Sequence, residues 1–168
     1  MKYFIGIAAS IFTSLSGTLV AQTPAQIQPA DMVQLQGAWK GSLTYLDYQS
    51  GKPYTMPANT NISAIPKQNH LLVEMIYPNE TNANSKDTLF INTARTIIDE
   101  GSIVSRKVLS NGDVEIVAIR KGQDGNDNKK ALIKKTYTIG RHQFINKKDV
   151  QFEGTSVWIN RHVYSYTR

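Results

Sequence analysis

From residue 35 onward the chain alternates apolar and polar positions with a period of two, in short runs separated by turn residues. Leu35 to Tyr48 sets the pattern. Trp39, Gly41, Leu43 and Tyr45 fall on one face, and Lys40, Ser42 and Thr44 on the other, as in a half-buried antiparallel strand. After a turn over 49–53, Tyr54 to Ile65 alternates once Pro57 is taken as an edge or bulge position. His70 to Tyr77 then places Leu71, Val73, Met75 and Tyr77 on one side. Pro78 to Lys86 is rich in asparagine and reads as an exposed loop, and Thr88 to Ile98 as two strand-like pieces around Asn92 to Ala94. Ile103 to Leu109 and Val114 to Arg120 flank Asn111-Gly112, a dipeptide at ease with positive φ and hence a strong hairpin signal. A polar loop is expected over Lys121 to Lys130, followed by strands over Ala131–Ile139, Gly140–Lys148, Val150–Phe152 and Thr155–Tyr166. All six prolines lie at or before Pro78, so nothing in the second half interrupts pairing. Eight to ten strands in series predict an all-β domain: a single antiparallel up-and-down β-barrel, with a sandwich as the alternative, closed by pairing of its first and last strands.

The N-terminal residues follow another pattern. Residues 1–21 run from Lys2 through an apolar stretch to Thr18-Leu19-Val20-Ala21, the order of a secretory signal peptide. This implies a secreted or periplasmic protein. Residues 22–34 read as a flexible leader followed by a short helical plug, in which Asp31 caps the turn and Met32, Val33 and Leu35 cover one end of the barrel. The barrel domain occupies residues 35–168. The chain has no cysteine, which excludes a disulfide scaffold and a thiolate metal site. Charge is uneven: residues 22–119 carry seven Lys and Arg against nine Asp and Glu, and residues 120–168 eleven against four. The basic half could face an acidic surface or protein; export argues against nucleic acid as the partner.

The tail is the segment richest in candidate chemistry. Trp158, Asn160, His162, Tyr164 and Tyr166 share one face by alternation, although alternation alone does not say which face points inward. Gly37-Ala38-Trp39 resembles the Gly-x-Trp signature on the first strand of lipocalins, a family that shares its wider barrel plan with fatty-acid-binding proteins. That resemblance implies a calycin-type barrel in which Trp39 plugs the closed end and a last-strand arginine, here Arg161, packs across its indole. His162-Val163-Tyr164 resembles the Arg-x-Tyr pair with which fatty-acid-binding proteins grip a carboxylate, with histidine replacing arginine. The same end is similar to nitrobindin-type haem barrels, in which a last-strand histidine ligates the iron.

Metal and hydrolase motifs do not emerge. His70, His142 and His162 lack ligand spacing, and neither His-Glu-x-x-His nor Gly-x-Ser-x-Gly occurs. Asp124 to Asn128 opens like a calcium loop, but Lys129 and Lys135 stand where glycine and glutamate are needed, so it reads as a turn. Asp47 and Glu74 would serve acid–base chemistry if they met inside the barrel, and nothing in the sequence requires them to meet. The sequence therefore points to a non-catalytic, lipocalin-like protein that binds a small hydrophobic ligand through Trp39, Tyr45, Trp158, Arg161, His162, Tyr164 and Tyr166, with no cofactor or metal and no membrane span. An envelope interaction module using the basic half, and a haem or catalytic barrel using His162, are the alternatives.

Overall fold

The computed structural model describes residues 24–47 and 50–168; the signal-like segment 1–21, the start of the leader and residues 48–49 before the first turn's described part lie outside them. One short helix, α1 (Pro29–Leu35), precedes eleven strands: β1 (Gly37–Leu46), β2 (Pro53–Pro57), β3 (Asn59–Ala64), β4 (Leu71–Ile76), β5 (Ser85–Leu89), β6 (Ile97–Ile98), β7 (Gly101–Val108), β8 (Val114–Asp124), β9 (Lys129–Ile139), β10 (Gln143–Phe152) and β11 (Ile159–Thr167). All the strand pairings are antiparallel, in the order β5-β4-β3-β1-β11-β10-β9-β8-β7-β6, with β2 also on β1. The first and last strands do pair, from Lys40↔Thr167 to Tyr45↔His162. Between β5 and β6 the sheet is joined by an isolated bridge, Ile91↔Ile98, and by Asp99 N–H donating to Phe90 O at 2.9 Å. The result is a nearly closed up-and-down barrel.

The stretch Tyr54 to Ile65 forms two strands, not one. β2 follows the second half of β1 and β3 its first half, with the break at Pro57-Ala58. Proline cannot donate to a ladder, so the break falls where a donor is missing. Lys121 to Lys130 is not a loop. β8 runs on to Asp124, β9 starts at Lys129, and only four residues turn between them; the polar composition belongs to a hairpin that projects beyond the main core. Gly140–Lys148 and Val150–Phe152 are likewise largely a single strand, β10.

The plug end carries most of the core. Ile27, Leu35, Trp39, Ile116 and Tyr137 are all at or below 1 % exposed. Ile27 lies in the expected leader, yet it is fully buried and its N–H donates to Arg95 O at 3.0 Å, so packing reaches back beyond the helix. Pro29 suits the start of α1, where no N–H donor is needed. Asp31 does not cap α1 from outside but sits in its first turn, where its carboxylate accepts the Gln28 N–H at 2.8 Å. The same carboxylate receives Arg106 on both oxygens at 2.8 Å, a forked pair that fixes the plug to β7.

Trp39 is 1 % exposed and donates its indole N–H to Leu35 O at 2.8 Å. The cation over its ring is Arg168, at 3.9 Å, not Arg161 as expected. Arg168 also donates to the carbonyls of Gln34, Gln36 and Arg141 and so ties the end of the chain to the plug. Arg161 lies at the other end of β11, because strand direction separates the two arginines by almost the whole strand.

Candidate functional site

The inward-facing residues follow from the register. Tyr54, Tyr45, His162, Lys148 and Lys135 oppose one another across β2, β1, β11, β10 and β9. Two residues nearer the plug, Met56, Leu43, Tyr164, Asn146 and Tyr137 form a second row, and Gly41, Tyr166, Phe144 and Ile139 a third. Between these rows and strands β3 to β5 lies a cavity of about 450 Å³, within the range of small-molecule sites. Ile62, Val73, Met75, Leu89 and Phe144 form its apolar wall, Tyr137, Tyr164, Tyr166 and Asn146 its polar-aromatic wall, and Asp87, Asp99, Glu100, Arg120 and Lys135 its charged edge.

The charged edge depends on an unusual turn. Asp99 and Glu100 have φ of 46° and 64°, both in the left-handed region, and form the two-residue loop between β6 and β7. Such hairpin turns need positive φ at both positions and favour Asn-Gly, so an Asp-Glu pair there holds strain of about 1 to 3 kcal/mol per residue. The turn directs the Asp99 carboxylate inward. It accepts Lys135 Nζ at 2.6 Å, the Tyr137 hydroxyl at 3.2 Å and, from the seam, the Phe90 N–H at 3.2 Å. Burial and the adjacent Asp99 charge raise the Tyr137 hydroxyl well above its usual range.

Below this edge β11 carries a bulge. Lys148 opposes His162 and Asp149 opposes Asn160, leaving Arg161 as the extra residue. A bulge places an extra side chain where strict alternation would not. Arg161 is 9 % exposed and donates to Asp124 at 2.5 Å, while Lys148 reaches the other Asp124 oxygen at 2.6 Å. Burial disfavours the Asp124 charge, but the bonds from Lys148 and Arg161 outweigh it and hold the carboxyl below its usual range. His162 shares this belt with no counter-charge of its own. Burial first, then the nearby Lys148 and Lys135, bring its pKa down to about 4 against the partial opposition of Asp124, so the ring is neutral at pH 7.

Tyr164 and Tyr166 line the cavity as part of a stacked series with Phe144. The Tyr164 hydroxyl meets that of Tyr77 at 2.9 Å, and the Tyr166 hydroxyl points at Met75 Sδ at 3.8 Å. Burial pushes both hydroxyls above the ordinary tyrosine range, and the Tyr77 bond adds to this at Tyr164. The other sequence candidates lie elsewhere. His162 stands edge-on to Tyr164 with ring centres 5.3 Å apart, outside the cavity lining, and Tyr45 packs on Tyr54. Trp39 is in the core of the plugged end. Arg161 lies against Phe152, and Trp158 stacks under the Lys134 ammonium at 4.3 Å, on the face opposite Ile133 and Lys135. The bulge separates Trp158 from the face of His162, so the five-residue wall expected from alternation is broken. Asp47 bonds Ser50 and Glu74 bonds Lys86 and Asn61, so neither carboxylate enters the site.

Asp99, Lys135, Tyr137 and Asn146 escaped the sequence reading. Lys135 and Asn146 alternate correctly with their apolar neighbours along β9 and β10, and that was the available signal: polar residues in inward register.

No family model matches the chain, and no curated protein matches it. Among solved structures, the chain is similar to a protein of unknown function from the DUF3598 family of Nostoc punctiforme, at 12 % identity and a TM-score of 0.37. The match covers 92 % of this chain and 53 % of that one, so the chain spans about half the length of the protein it matches. The architecture itself, a nearly closed antiparallel barrel with a plugged end, is compatible with a calycin-like fold. No helix among the described residues is long and apolar enough to cross a membrane.

Proposed function

We propose that this barrel is an exported, non-catalytic binder of a small amphiphilic molecule, held in the cavity between the tyrosine rows and strands β3 to β5. The observation that carries the reading is the composition of that cavity: about 450 Å³ with an apolar wall from Ile62 to Leu89 and a few placed polar groups on the facing side. Binding sites for small molecules combine these two features. Tyr164 and Tyr166 are the expected contacts from β11, while His162 packs edge-on against Tyr164 and Arg161 lies farther along the strand with Asp124 and Phe152. The signal-like residues 1–21 support export, and a mature chain beginning near Gln22 is the corresponding expectation for N-terminal sequencing.

The test is titration with an apolar fluorescent probe. Saturable binding at one site is expected, with loss of binding in a Val73→Phe variant whose circular dichroism is unchanged, since the added ring fills the cavity. Absence of probe binding, or equal binding by the variant, would overturn the reading. A salt-sensitive complex with an acidic partner would then favour the interaction module, and a Soret band lost in His162→Ala would favour the haem barrel.

A further inference from the structure

We infer that the head group read in this cavity is neutral and both donates and accepts hydrogen bonds, an amide or a hydroxyl, and that Asn146 reads it; the inference rests on the small-molecule reading above. Asn146 lies on the cavity wall between Tyr137 on β9 and Tyr164 on β11. Its Oδ1 is buried, and no group among the described residues donates to it. A buried amide without a partner costs about 1 to 3 kcal/mol, so such a group in a ligand-sized cavity is a natural contact for a ligand. An amide presents a donor and an acceptor side by side, and so selects a group that can answer both. The nearby Tyr164–Tyr77 hydroxyl pair has the same double character.

The charges argue against a carboxylate ligand, the expectation that fatty-acid-binding proteins would suggest. Each inward cation is matched: Lys135 by Asp99, Arg120 by Glu100, and Lys148 and Arg161 by Asp124. His162 is neutral. The cavity lining itself has three carboxylates, Asp87, Asp99 and Glu100, against the two cations Arg120 and Lys135. A carboxylate would find both lining cations, Lys135 and Arg120, already paired with carboxylates. Asp87 and Glu100 are exposed, so their charges are screened and give a cationic ligand little in return.

The experiment is displacement of the apolar probe at pH 8 by dodecanamide, dodecanol, dodecylamine and dodecanoate, which share one chain and differ in the head. Dodecanamide and dodecanol should displace at concentrations about tenfold below dodecanoate, the worth of one hydrogen bond to a buried unpaired group. Asn146→Leu should remove most of that advantage while the apolar probe binds at least as well, which also reports an intact fold. Tighter binding of dodecanoate or dodecylamine, or an unchanged ranking in Asn146→Leu, would overturn the inference. Should that variant not fold, the ranking on the unaltered protein still decides. If the probe itself does not bind, the small-molecule reading fails instead, so the two failures are distinct.

Discussion

Acidification should destabilise the barrel through His162 before Asp124 loses its charge. The imidazole is mostly buried between Tyr45 and Lys148 in the inward row, and its pKa falls to about 4 from an ordinary 6.5. The unfolded chain therefore takes up this proton from pH 6.5 downward, whereas the folded chain resists it until about pH 4. Between those limits the unfolded state holds more protons, so stability falls as pH falls, by about 1.4 kcal/mol per unit. The full effect is on the order of 3 kcal/mol, a large part of a typical domain's stability. Above pH 6.5 the contribution is complete and flat. Asp124, whose carboxyl is held below its ordinary 3.8, keeps its stabilising charge through this window and loses it only at lower pH. Urea unfolding from pH 7.5 to pH 4, compared with His162→Gln, isolates the effect, because glutamine fills similar space and does not titrate. The difference in unfolding free energy between the two proteins should change across the window by the stated amount. A difference independent of pH would refute the argument and mean that the imidazole is solvated.

Trp39→Ala should cost about 3 to 5 kcal/mol, as expected for a large aromatic lost from a packed core, read from chemical denaturation; a loss below about 1 kcal/mol would place the ring at the surface. Asp31→Ala should cost about 1.5 to 3 kcal/mol, because Arg106 loses both charge-assisted bonds where it is mostly covered, and proteolysis should then cut the plug earlier than the barrel. Gly41→Ala should prevent stable closure, since a methyl there would overlap the Ser165 carbonyl and the Tyr166 backbone where β1 meets β11; a native-like thermal midpoint in that variant would contradict the register.

The strand series was legible because burial on one side of a sheet writes a period of two into the chain, and nearly every strand here has one buried side. Trp39, Leu71 and Tyr166 were found that way. What alternation does not encode is interruption. The extra residue at Arg161 puts His162 and Trp158 on different faces, and no residue in Asn160-Arg161-His162 advertises a bulge. The Asp99-Glu100 turn was hidden for the opposite reason: its sequence lacks the Asn-Gly that such a turn prefers, so the carboxylate nearest Lys135 passed as part of a connecting stretch. Arg161 was expected over Trp39 from the resemblance to lipocalins, which names the last strand but not how far along it the arginine lies; Arg168, just past the opposite end of β11, takes the place.

The charge imbalance between the two halves takes on a different meaning once the strands are paired. In sequence, the excess of basic residues after Arg120 resembles a binding face. In the fold, Lys134 and Lys147 converge on Asp149, Lys148 and Arg161 on Asp124, and Arg168 covers Trp39. Lys135 and Arg120 cross to Asp99 and Glu100, acids of the first half held on the strained turn beside the β5–β6 seam. The basic half thus completes the acidic half at the place where the sheet is least continuous. The two charged pairs hold the β6–β7 turn against β8 and β9 at the edge of the cavity, and because Lys135 and Asp99 are partly screened from solvent, their contact is less sensitive to salt than a surface pair. The same pairing that holds this turn in place also uses up the cations a carboxylate ligand would need.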